Sequence, residues 1–148
     1  MNYDKLKAQL RLDEGVRRRR YRDTVGKWTV GVGHNITDDP AYPHKPTDEP
    51  LNDIQIDVLL ERDIANAVTD LDRNANWWRA MEEPRQRVLA NMCFNLGWPR
   101  LSGFVNTLKA MHLSDYKAAA AGMRASKWYS QVGARAERLA KIMETGEG

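Results

Sequence analysis

The chain has 148 residues, 42% hydrophobic and 29% charged, with a formal net charge of +3. These proportions describe one globular domain, or two small lobes sharing a helix, and exclude a disordered or low-complexity protein. No apolar run approaches the roughly 20 residues that span a membrane, and MNYDKLKAQLRLDEG lacks the apolar core and cleavage site of a secretory signal.

Residues 3–14 predict a helix, capped by Asn2 or Asp4, with Tyr3, Leu6 and Leu10 on one face and Gly15 at the left-handed C-cap. Glu14 falls in its last turn. The negative end of the helix dipole and partial burial both disfavour its ionised form, which suits a general acid. The competing reading is a surface residue at a frayed end. Residues 17–32 predict strands around a turn at Asp23-Thr24-Val25-Gly26. In such a hairpin Asp23 and Thr29 could face each other on neighbouring strands. Gly31 and Gly33 mark close approach of backbone or ligand. The run Arg17-Arg18-Arg19-Arg20 reads as a solvated strand edge, or alternatively as a rim for an anionic substrate.

Residues 38–51, with four prolines between 40 and 50, predict an exposed irregular loop. A long helix follows to about Asn74, capped by Asn52, with Leu51 and Ile56 as a hydrophobic staple. Asp63 is a polar residue on a mostly apolar side of that helix, and an ion pair with His34 is possible there. Glu83-Pro84 begins another helix, apolar nearly all round at 88–96 and stopped by Gly97, so it is expected to form the centre of a helical core. It carries the single cysteine, Cys93, which reads as a small buried hydrophobe. Further helices are expected near 104–112, 115–123 (capped by Ser114) and 134–143. Residues 126–131 read as an aromatic connector and 144–148 as a mobile tail. His34, His44 and His112 show no ligand spacing, so neither a metal nor a cofactor is expected.

The fold class is therefore α+β, mostly α: a small β-hairpin lobe, a long connecting helix and an all-α lobe. Residues 1–148 form one domain, with lobe 1 at about 12–60 plus the helix 52–74, and lobe 2 at about 1–11 and 75–148. Chemically, the first stretch offers Glu14 on a helix end, Asp23 nine residues on and Thr29 six beyond that. Two carboxyls in different environments are the minimum for glycoside hydrolysis, one protonated to donate and one ionised to handle water. Thr29 could hold that water.

The pattern Glu-x8-Asp-x5-Thr within DEG and YRDTVGKWTVGVGH, continued through LLERDIANAVTDLDRNA, NMCFNLG, GFVNTLKAM and SKWYSQ, resembles the phage lysozyme (endolysin) family of T-four-type muramidases. Glu14, Asp23, Thr29, Gly31, Gly33 and His34 are all in register. The departures are the proline-rich loop and the segment around Trp77-Trp78. The resemblance implies a two-lobed lysozyme-like fold and cleavage of the β-1,4 bond between N-acetylmuramic acid and N-acetylglucosamine in peptidoglycan. It implies inversion, with Glu14 as general acid, Asp23 as second carboxylate, Thr29 beside the attacking water, and His34 with Asp63 as structural support. Gly33, Asn35, Phe94, Asn95 and Thr107 occupy substrate-contact positions, whereas Gly122 replaces an asparagine whose contact is expected to be absent.

Three other classes compete. An inactive wall-binding or phage-structural module would be marked by loss of Glu14 or Asp23, and both are present. A lytic transglycosylase has no need of the Asp23–Thr29 pair. A nucleic-acid binder using Arg17–Arg20 lacks a recognition helix or an aromatic-basic platform. The expected setting is a monomer held in the host cytoplasm until lysis and then acting on the cell wall. It would need neither nucleic acid nor membrane insertion, and a separate membrane-permeabilising holin would give access.

Overall fold

The first helix ends where glycine allows it to. Gly15 lies at φ 73° and its N–H bonds to Arg11 O at 2.9 Å, closing the last turn of α1 (Tyr3–Glu14). The computed structural model describes residues 1–148 and contains eight helices and one three-stranded antiparallel sheet, the mostly α, α+β architecture expected from the sequence. By contacts the chain divides into Asp4–Ala65 and a second unit of Met1–Tyr3 with Asn66–Gly148.

In Asp4–Ala65, Leu6 and Leu10 of α1 are buried, while Tyr3, which groups with the second unit, is 46% exposed. The sheet comprises β1 (Arg17–Arg22), β2 (Trp28–Gly31) and a two-residue β3 (His34–Asn35) in that spatial order. Helix α2 (Asp53–Asn74) begins at Asn52, whose Oδ1 accepts from Gln55 N–H while Gln55 Oε1 accepts from Asn52 N–H. This reciprocal box leaves two orphan donors satisfied, with Leu51 and Ile56 buried as the staple. Lys7 reaches Asp57 at 3.2 Å and Arg11 reaches it at 2.6 Å, fixing α1 against the start of α2. Residues 4–11 group by contacts with the sheet and the start of α2, where the sequence boundaries put them in the helical lobe. Helix α2 itself is shared, residues 53–65 grouping with this unit and 66–74 with the other.

The arginine run is neither a free edge nor a uniform rim. Arg18 bonds Leu51 O at 3.1 Å and pairs with Asp53. Arg20 donates to Glu49 through both its backbone N–H, at 2.7 Å, and Nε, at 2.6 Å. Alternate arginines thus clamp the proline-rich loop to β1. That loop is not wholly irregular, since Pro46–Asp48 forms a 3₁₀ turn and Tyr42 stacks on His34.

In the second unit, α3 (Glu83–Leu96) has every residue from Val88 to Cys93 buried. A fully buried leucine such as Leu89 contributes about 1.5–3 kcal/mol relative to exposure. The Cys93 thiol donates to Ala67 O at 3.7 Å, and burial pushes its pKa up to about 12, so it is an unreactive core group. After α3 come α4 (Trp98–Leu101), α5 (Val105–His112), α6 (Tyr116–Arg124), α7 (Lys127–Val132) and α8 (Ala134–Thr145), of which α4 and α8 pack directly on α3. The expected aromatic connector is helical because Ser126 Oγ caps α7, accepting from Tyr129 N–H at 3.1 Å. The cap of α6 is Asp115, not Ser114. Asp115 Oδ1 accepts from Ala118 N–H, and Ser114 instead adopts φ 60° in the turn before it. The tail is held by Arg85, whose Nε donates to Met143 O at 2.7 Å while Nη2 donates to Glu144 O at 3.0 Å.

Candidate active site

Residues Glu14, Asp23, Thr29, Gly33 and His34 all belong to the Asp4–Ala65 unit. Glu14 is the last residue of α1 and half-buried. Its carboxyl lies against the backbone of Gly33. A Cβ built on that glycine would stand 2.8 Å from Glu14 Oε2 and 3.0 Å from Cδ, and Gly33 also has φ 65°. Glycine is therefore required there twice over, by backbone conformation and by the carboxyl it supports.

Asp23 occupies the hairpin turn, not a strand. Its Oδ1 accepts from Val25 N–H at 3.0 Å and Lys27 N–H at 2.9 Å, while its backbone N–H donates to Lys27 O. These bonds fix one carboxylate oxygen and leave Oδ2 without a protein partner, in a half-exposed position suited to a water-handling group. The expected pairing of Asp23 with Thr29 across the strands is not found. The residue opposite Thr29 is Tyr21, and Arg22 opposes Trp28, because the turn takes up Asp23–Lys27 before pairing resumes. Thr29 is buried and its hydroxyl donates to Lys27 O at 3.1 Å. Asp23 and Thr29 thus meet through Lys27, one bonding its N–H and the other its carbonyl.

His34 is buried at the start of β3. Its Nδ1 lies 2.7 Å from Asp63 and its Nε2 lies 2.9 Å from Asp39. Burial alone pushes its pKa down, but the hydrogen bonds and charges of Asp63 and then Asp39 outweigh this and hold it above the ordinary value. An imidazole gripped from both sides has no nitrogen free for proton transfer, which makes it a brace. Asp39 was missed in the sequence because it lies in the proline-rich loop, where no periodicity points to a partner. Asn35 neighbours this brace, accepting from Asp38 N–H and donating to Asp38 Oδ2.

The remaining predicted contact residues lie in the helical unit. Asn95 Oδ1 accepts from Trp128 Nε1 at 2.9 Å, which fixes the amide orientation, and Phe94 beside it is half-buried. Thr107 lines a cavity of about 630 Å³ whose walls include Leu96, Phe104, Gly122 and Trp128, with Arg100 and Lys127 adding positive charge. Phe94 and Asn95 are not part of that lining. Gly122 has a physical reason for replacing a larger residue, since a Cβ there would lie 2.3 Å from Thr107 Oγ1. No group of three or more His, Cys, Asp or Glu side chains is placed to hold a metal ion, and no helix is long and apolar enough to cross a membrane.

The profile of the phage lysozyme family matches residues 12–142 of this chain. The chain belongs to the phage lysozyme family. Membership makes it a glycoside hydrolase, a muramidase-like cell-wall hydrolase. It is 32% identical to the pre-baseplate central spike protein Gp5 of Enterobacteria phage T4 over 93% of this chain and 27% of that protein. It is 26% identical to probable T4-type lysozyme 2 of Dictyostelium discoideum over 95% of this chain and 94% of that one. It is also 30% identical to the peptidoglycan hydrolase gp36 of Pseudomonas phage phiKMV over 88% of this chain and 14% of that protein. The chain thus spans about a quarter of the spike protein and nearly all of the Dictyostelium lysozyme.

Proposed function

We propose that this phage lysozyme family member hydrolyses the β-1,4 bond between N-acetylmuramic acid and N-acetylglucosamine in bacterial peptidoglycan, with inversion. The observation that carries the reading is the pairing of Glu14, seated on Gly33, with Asp23, held by two backbone N–H groups and open at Oδ2. Glu14 delivers a proton to the leaving oxygen. Asp23 and Thr29 orient the water that attacks the anomeric carbon, and Asp23 accepts its proton, so the acid and base roles fall on carboxyls in different settings. His34 and Asp63 keep β3 in place, and with it Gly33, the seat of the acid. Gly33 and Asn35 contact the saccharide or its peptide stem.

The substitution Glu14→Gln tests the assignment. It is expected to abolish clearing of outer-membrane-stripped bacteria while circular dichroism and melting remain those of a folded protein. Full activity in that variant refutes the acid role.

The biological setting we propose is release of phage progeny: the protein waits in the host cytoplasm as a monomer and reaches the wall through lesions made by a separate holin. Similarity to a segment of a phage central spike protein supports a second setting, in which the same chemistry serves within a particle component. Detection of the chain in purified virions selects the second setting, and its absence there with lysis dependent on holin co-expression selects the first.

A further inference from the structure

Tyr21 has no role in the chemistry described so far, yet the fold aims it at the site. It is paired directly with Thr29 between β1 and β2, so both side chains leave the same face of the sheet, their Cβ atoms about 5 Å apart. The strand bulges between Arg17 and Tyr21, and Arg17 is opposed by Gly31, which has no side chain. The bulge and the gap let the Arg17 guanidinium lie over the Tyr21 ring, 4.3 Å from its centroid. A cation seated on one face of a ring fixes its plane. The phenol itself makes no hydrogen bond within the protein, although its ring is half-buried. Both Glu14 and Asp23 are close enough for their negative charge to act on it. Burial is the largest influence on the phenol and pushes its pKa upward. Arg17 opposes that rise and the two carboxylates add to it. The hydroxyl therefore stays protonated across the working range, a neutral donor beside Glu14 and Asp23.

We propose that Tyr21 is a substrate-positioning residue, its ring locked by Arg17 and its hydroxyl donating a hydrogen bond to an oxygen of the saccharide at the bond being cleaved. The inference rests on the functional reading above, because the ligand it assigns to Tyr21 is the sugar between Glu14 and Asp23. A donor anchored by backbone pairing to Thr29 moves with the water site, so the sugar it holds is registered against the attacking water. Arg17 acts only through Tyr21.

The test compares Tyr21→Phe, Arg17→Met, their combination, and Glu14→Gln on a soluble peptidoglycan substrate. Tyr21→Phe retains ring, burial and the Arg17 stack. It is expected to lower kcat about tenfold, with KM changed less than about twofold and an unaltered melting temperature. Arg17→Met is expected to lower kcat about two- to fivefold in the parent and to have no further effect in the Tyr21→Phe background. Wild-type kcat in Tyr21→Phe, alongside an inactive Glu14→Gln, overturns the inference and leaves the functional reading standing. A loss that vanishes when variants are compared at equal folded fractions, or additive effects of the two substitutions, also overturns it. Full activity in Glu14→Gln overturns the functional reading itself.

Discussion

Replacing Gly33 by alanine separates two demands that the structure makes on one residue. The new Cβ would stand 2.8 Å from Glu14 Oε2, 3.0 Å from Cδ and 3.2 Å from Cγ. Carbon atoms are at ease at about 3.5–4.0 Å, so the carboxyl must retreat by about 0.5 Å. All three atoms are approached together, and a rotation about one bond does not relieve the contact. A displacement of about 1 Å in a reacting group can cost about a hundredfold, so half of that gives about a tenfold loss of kcat. Stability should fall by less. Left-handed backbone at a non-glycine residue costs about 1–2 kcal/mol, and the stiffer unfolded chain returns about 0.4–1 kcal/mol. The net, about 1 kcal/mol, lowers the melting temperature by about 2–4 °C in a chain of 148 residues. Gly26→Ala is the control: its φ is 84° but nothing lies within 4 Å of its Cβ position. The assay is initial rate of wall clearing, paired with calorimetry on both variants. The two variants are expected to be equally destabilised, with an activity loss only at Gly33. Equal activities in the two variants would show that the seat of Glu14 is irrelevant to the chemistry.

Two further predictions concern the brace and the helical cavity. Because the folded pKa of His34 is raised, its pairing with Asp63 and Asp39 stabilises fully below the unfolded value of about 6.5 and is lost as pH rises through the higher folded value. Asp63→Asn should therefore cost about 1.5–3 kcal/mol at pH 6 and progressively less toward pH 9, read from denaturant titrations across that range; a cost that grows with pH contradicts the pairing. Gly122→Ala should show strong coupling to Thr107, since the added methyl meets its hydroxyl at 2.3 Å. Alone it combines about 1–3 kcal/mol of overpacking with about 1 kcal/mol of helix-propensity gain, whereas in a Thr107→Ala background only the gain remains. A double-mutant cycle that closes additively refutes the contact.

Much of this was readable from residue order. The Asn52 cap with its Leu51–Ile56 staple, the buried run at 88–93 and the stop at Gly97 each depend on neighbours within one or two helical turns. The sequence carries such local grammar directly. The failures share a different cause. Asp23 and Thr29 were expected to face each other, but the turn absorbs Asp23–Lys27 and shifts the partner of Thr29 to Tyr21. A slip in register is invisible to composition. Ser114 is as good a cap by type as Asp115, and only the backbone conformation decides between them. The arginine run reads as a charged edge until Asp53 and Glu49, about 30 residues away, are folded onto it. Asp39 joins His34 for the same long-range reason. In the candidate site, residue types and spacing singled out Glu14 and Asp23 as candidates. The glycine seat of one and the turn bonds of the other required three dimensions.

The most direct measurement of the central claim is mass analysis of the soluble fragments released from purified peptidoglycan by the wild-type protein and by Glu14→Gln. The wild type is expected to release muropeptides ending in reducing N-acetylmuramic acid, each having gained one water, and the variant none. Fragments ending in anhydro-muramic acid, or equal release by Glu14→Gln, would contradict it.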